Sequence, residues 1–202
     1  LDKGGIGDVT TLTVEEFKSK TWSGKIAYQL FRFPFIMFGL GPLWMFMINH
    51  RMAVPRFSCK ETKSVVWNNL GLVVYLAALS VFFGGFWNMV LVYLPVLWIA
   101  GMAGIWLFYI QHQFEGVYWA RDDEWDYVAS ALKGASYYRL PKVLQFFSGN
   151  IGFHHIHHLS PRIPNYRLEE CYNSNPVFQT EVRSVGLFEA LRMVRLHLID
   201  EA

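Results

Sequence analysis

The chain has 202 residues, of which 53% are hydrophobic and only 17% charged, with a formal net charge of +2 at pH 7. Soluble globular domains carry about 25% charged residues, so this composition excludes an ordinary water-soluble domain and favours a membrane protein. No basic stripe marks a nucleic-acid partner. Cys59 and Cys171 lie far apart with no CxxC spacing, which rules out a disulfide framework and a zinc ribbon and leaves two free thiols.

In chain order, the opening LDKGGIGDVTTL is Gly-rich and polar and is expected to be a loop. The chain begins on Leu with no visible signal peptide, as expected for a C-terminal piece of something longer. Thr13-Val14-Glu15-Glu16 has the pattern of a capping box that opens a helix. From Phe33 to His50 no charge occurs for 18 residues, but Pro34, Gly39, Gly41 and Pro42 interrupt the run. It fits either a short third span or a broken helix lying in the interface, with Arg32 and Arg51 anchoring its ends; the interfacial reading is preferred.

Between Lys63 and Glu115 there are 51 residues without a charge. One helical pass needs about 20. Two passes are therefore predicted, at about 65–84 and 89–111, joined by a turn at Gly84-Gly85 and Trp87-Asn88. Arg51, Arg56, Lys60 and Lys63 precede the hairpin, and Arg121, Arg139 and Lys142 follow it. The positive-inside rule makes that side cytoplasmic. The fold class expected is all-α integral membrane, a transmembrane hairpin at about 65–111 with interfacial helices and a cytoplasmic cap at about 112–202, all within one domain. Near the end, Leu187, Leu191, Val194 and Leu198 share one side of a predicted surface helix over Leu187–Ile199.

Four of the seven histidines fall in five residues, His154-His155-Ile156-His157-His158. On a helix, His154, His157 and His158 take i, i+3, i+4 spacing and share one face. Converging imidazoles suit iron, zinc, copper or nickel. A solvated His-rich turn is the alternative, but Phe153, Leu159, Pro161, Ile163 and Pro164 frame this cluster. His112, at the predicted cytoplasmic end of the second pass, can join them at the membrane surface. His155 is turned about 100° from the shared face and suits a supporting role. His50 reads as an interfacial anchor and His197 as solvated. A metal-bound histidine donates its second ring N–H to a carboxylate or a carbonyl; some of Glu115, Asp122, Asp123, Glu124 and Asp126 could supply the carboxylate, while most read as a solvated acidic face after the second pass. Asn150 lies four residues before His154 and would share its face in a helix starting early enough, where it could bind a metal-coordinated water.

The run SGNIGFHHIHHLSPRIPNYRLEEC, Ser148 to Cys171, resembles the third histidine box, H-x-x-H-H, of membrane-bound fatty acid desaturases, in their acyl-lipid Δ12/ω6-type branch. QHQFEGVYW, Gln111 to Trp119, is similar to the element closing that branch's fourth helix, where a histidine matching His112 completes the iron site. GIGDVTTLTVEEF resembles the segment after the second box. The first box, H-x(3–4)-H, and the second, H-x-x-H-H, have no counterpart here; the resemblance places both, with two membrane helices, upstream of Leu1. An even number of crossings must separate boxes that face one site, so Phe33 to His50 should be interfacial or re-entrant.

The resemblance implies an O2-dependent enzyme with two non-haem irons. Side chains alone cannot oxidise an unactivated methylene, so the hard step needs a metal or other redox cofactor. It implies removal of two hydrogens from adjacent carbons of a membrane acyl chain to leave a cis double bond, with electrons from an external donor such as ferredoxin or cytochrome b5. Tyr118, Trp119, Phe146 and Phe147 are candidates for lining the acyl groove, or equally plain interfacial aromatics. A related hydroxylase, acetylenase or ketolase would use the same ligands. A non-enzymatic metal-binding or transport protein would place polar groups at mid-membrane, and a haem subunit would place histidines within facing helices. The piece alone, holding about half of a metal site, is expected to be inactive.

Overall fold

The computed structural model describes residues 11–54, 57–120 and 124–200. Arg56, Arg121, Asp122, Asp123 and the opening loop up to residue 10 lie outside the described residues. The chain divides into two compact units, one of residues 29–106 and one that combines 1–28 with 107–202.

A short strand, β1 (Leu12–Thr13), leads into helix α1 (Val14–Ser19). The expected capping box is present: Glu16 N donates to Thr13 Oγ1 at 3.2 Å, and Thr13 N donates to Glu16 Oε2 at 3.1 Å. Helix α2 (Trp22–Arg32) follows.

In the 29–106 unit, a π-helical turn (Phe35–Leu40), α3 (Gly41–Met47) and a 3-10 turn (Asn49–Arg51) make up the expected broken run. The break follows from Pro34 and Pro42, which have no N–H to give an ordinary α ladder. Within this unit the run is tied down at both ends. Trp98 Nε1 donates to Gly39 O at 2.6 Å. Arg51 Nη1 donates to Asn68 Oδ1 at 2.8 Å and to Asn69 Oδ1 at 3.3 Å, while Asn69 Nδ2 returns a bond to Arg51 O at 2.8 Å.

Helices α4 (Cys59–Phe82) and α5 (Phe86–His112) are both long and apolar enough to cross a membrane. At about 1.5 Å per residue they exceed the roughly 30 Å of a hydrocarbon core. Helix α5 extends past its predicted pass at both ends, and α4 begins earlier than predicted and ends at Phe82. Helix α4 starts early because Ser58 and Glu61 form a reciprocal capping box ahead of the apolar run, with Ser58 N donating to Glu61 Oε2 at 2.7 Å. A count of uncharged residues begins only after Lys63 and misses that cap. The turn falls at the predicted glycines, Gly84 at φ +71° and Gly85 at φ +142°, conformations that side-chain-bearing residues rarely adopt.

The second unit holds α6 (Tyr127–Lys133), β2 (Tyr137–Tyr138), α7 (Lys142–Phe147), α8 (His154–Leu159), α9 (Leu168–Ser174), α10 (Val177–Thr180), β3 (Ser184–Val185), α11 (Leu187–Met193) and β4 (Leu198–Ile199). Strands pair in parallel as β1 with β4 and β2 with β3. The core gathers Leu132, Phe153, Ile156, Leu168, Phe178 and Val182 around α8. The predicted helix over Leu187–Ile199 is corrected here, because α11 ends at Met193 and Leu198–Ile199 join β1 instead. That pairing, reinforced by the Tyr28 hydroxyl donating to His197 O, is a tertiary event invisible to local periodicity. Ala190 and Met193 turn inward, while Leu187 and Leu191 face out.

Candidate metal centre

His112 closes α5, and its ring meets one side of α8. His112 Nε2 lies 3.0 Å from His154 Nε2 and 3.4 Å from His158 Nε2. One ligand nitrogen from each of these three residues falls within 4.8 Å of the others. Metal–imidazole bonds of about 2.1 Å, as zinc makes, at angles of about 90–110° separate their nitrogens by about 3.0–3.4 Å. The donor set therefore fits a single transition-metal ion.

His112 Nδ1 lies 3.1 Å from Gly134 O. A carbonyl only accepts, so Nδ1 carries the proton and Nε2 keeps its lone pair for the cluster. The partner is a backbone carbonyl rather than one of the acidic side chains considered from sequence. Among those, Asp126 instead caps α6, accepting from Ala129 N at 2.6 Å, and Glu115 and Glu124 are exposed. Burial pushes the His154 pKa down to about 2, with His112 and the neighbouring histidines adding to the shift. Burial, and then His157, lowers that of His158. Both rings are neutral near pH 7, the form that binds metals.

Backbone contacts set the register of these elements. Gln111, 1% exposed, donates its Nε2 to Ile151 O at 2.6 Å and joins the last turn of α5 to the turn before α8. Ser136 N donates to Gln111 O at 2.9 Å and Ser136 Oγ to Ile110 O at 3.1 Å. Tyr127 Oη donates to His158 O at 2.6 Å and to Leu159 O at 2.9 Å, holding the far end of α8. At Gly152 the chain passes so close to β2 that a Cβ would stand 2.3 Å from Tyr138 O.

Of the predicted ligands, the structure brings His112, His154 and His158 together. His157 is exposed, its ring stacked 5.7 Å from that of His154, and it is not one of the three. Asn150 does not share the helical face of His154, because α8 starts at His154 itself. Asn150 adopts φ 60° and its Nδ2 donates to Asn165 O at 2.8 Å, joining the turn before the histidines to the loop after them. His155 is fully buried among Tyr137, Tyr172 and Phe178, with a pKa lowered to about 4 by burial. His50 lies edge-on against Phe46 in the other unit. Sequence reasoning missed Gln111, Ser136 and Tyr127. Only the position of Gln111 beside His112 hinted at its role.

The fatty acid desaturase family model matches residues 4–181. The chain belongs to the fatty acid desaturase family. It is 43% identical to a fatty acid desaturase of Bacillus subtilis (strain 168) over all 202 residues, which make up 56% of that protein. It is 25% identical over 154 residues to the chloroplastic omega-6 fatty acid desaturases of Arabidopsis thaliana and Brassica napus, covering 69% of this chain and 33% of each of theirs. The chain thus spans about half the length, or less, of the curated relatives it matches. An all-α membrane protein with a histidine cluster is the architecture that the desaturase resemblance of Ser148 to Cys171 implied.

Proposed function

We propose that the complete protein is an O2-dependent di-iron desaturase that sets a cis double bond into a membrane acyl chain. The observation that carries this reading is the meeting of three imidazole nitrogens, from His112, His154 and His158, at ligand spacing next to the end of a span-length helix. Iron, when bound, supplies the oxidising power for a C–H bond that no side chain can attack. Overall, the acyl chain gives up two hydrogens, an external carrier such as ferredoxin or cytochrome b5 gives two electrons, the medium gives two protons, and O2 leaves as two waters.

This chain's own residues bind and orient. His112 is held in one tautomer by Gly134 O. His154 and His158 are kept neutral by burial. His157, exposed and offset from His154, is assigned to the second iron, whose remaining ligands come from the parts of the relatives that this chain does not span. Asn150, whose Nδ2 donates to Asn165 O, ties the turn before the histidines to the loop after them. The hairpin and the histidine-bearing unit serve one desaturase domain, with the cluster on the cytoplasmic side by the distribution of Lys and Arg.

The test is lipid analysis of cells expressing the full gene, paired with iron content of the purified protein. The expected result is a new cis-unsaturated acyl chain and about two irons per chain, both lost in His112→Ala. A hydroxylated product would move the reading to the related hydroxylases. A protein that binds metal without altering any lipid would overturn the enzyme reading.

A further inference from the structure

We infer that α7 and α11 together form an amphipathic ledge that seats in the headgroup–acyl boundary of the bilayer. Helix α7 has six residues, yet Val143, Phe146 and Phe147 are 66%, 78% and 79% exposed. Helix α11 adds Leu187, Phe188 and Leu191, with Phe188 at 85% exposure. Isolated exposed apolar side chains need no explanation, but a contiguous group of this size marks a binding surface.

The two helices belong to one surface by topology. Strands β2 and β3 run parallel, with Arg139 N donating to Val185 O at 2.8 Å just past the pair. Helix α7 leaves the end of β2 after three residues and α11 leaves the same end of β3 after one. The Arg139 guanidinium closes the gap, standing 3.4 Å from where a Cβ on Gly186 would lie.

The same unit also shows what covers this surface. The backbone after each helix is pinned to the last turn of α5. Gln111 Nε2 holds Ile151 O at 2.6 Å beyond α7, and Tyr109 Oη holds Met193 O at 3.1 Å and Leu196 O at 2.5 Å at the end of α11. That turn is where a span-length helix leaves the hydrocarbon, so the bilayer surface is the neighbour of both helices. In sequence, Arg139, Arg192 and Arg195 lie within four residues of these apolar side chains and suit anionic headgroups, while Lys142 is paired with Glu169. The ledge would hold the histidine cluster at a fixed height above the lipid.

The test uses the full-length protein in nanodiscs of phosphatidylcholine and phosphatidylglycerol, with native cysteines replaced by serine and a nitroxide at Phe147→Cys or Phe188→Cys. Tyr166→Cys, at a 74% exposed site in the loop beyond the histidines, is the aqueous reference. Power saturation compares collisions with O2, which partitions into lipid, and with a water-soluble nickel chelate. At positions 147 and 188 we expect O2 to dominate, at depths of about 5–10 Å, and the nickel chelate to dominate at 166. Nickel dominance at 147 and 188 would mean they face water, and low access to both reagents would mean that protein covers them. Either result overturns the ledge. Neither depends on desaturation, because activity and iron content are read separately on the same samples.

Discussion

The two units solve opposite solvent problems with the same helices. In residues 29–106 the apolar side chains point outward, Val81 and Phe82 being 83% and 80% exposed, and a few polar ties fix the geometry: Trp98 to Gly39 O, and Arg51 to Asn68 and Asn69. In the histidine-bearing unit, polar side chains are buried instead. Gln111 and His155 are almost wholly enclosed, and the short elements are locked by side chains that bond to backbone carbonyls. A unit that lipid surrounds needs length and a few satisfied polar groups, and tolerates exchange of one apolar residue for another. A unit that holds a metal needs register, and register depends on single atoms.

Ranked by expected effect, substitutions sharpen this contrast. His154→Ala in the full-length protein removes the imidazole nearest His112, so product and bound iron should both vanish; unchanged iron by elemental analysis would place the centre elsewhere. Gly152→Ala forces a methyl against Tyr138 O, and we expect a loss of about 3 kcal/mol with aggregation or weak expression, seen in thermal unfolding. Gln111→Leu leaves Ile151 O without its donor, at a cost of about 1–3 kcal/mol. Iron content should fall in Gln111→Leu more than stability loss explains, and melting curves against iron per chain would show whether it does. Trp98→Phe deletes one N–H in the lipid-exposed unit and should cost about 1 kcal/mol with the iron content unchanged. Val81→Leu should change the melting behaviour by less than about 0.5 kcal/mol, and a larger change would show that α4 packs against protein at that point.

Much of this was readable from residue order. Uncharged length gave α4 and α5, glycines marked their turn, prolines marked the broken run, and the i, i+3, i+4 spacing singled out the histidines. Local patterns failed where distant backbone decides. Leu198–Ile199 leave the helical register because β1 lies beside them. His157 shares its helix with His154 and His158, but its ring is exposed and offset from that of His154, so the shared spacing alone does not bring it to His112. Gly134 O as the partner of His112 could not be foreseen, since a carbonyl leaves no trace in composition.

The place of His112 as the last residue of the 27-residue α5 has an electrostatic consequence. Aligned peptide dipoles leave roughly half a negative charge at a helix C-terminus. A cation held by neutral imidazoles receives no formal countercharge from its ligands, and the aligned carbonyl dipoles of that final turn offset part of this deficit. A helix long and apolar enough to cross a membrane thus also contributes a favourable field at its end, and an added positive charge there, such as Gln113→Lys, would oppose metal loading without touching any ligand.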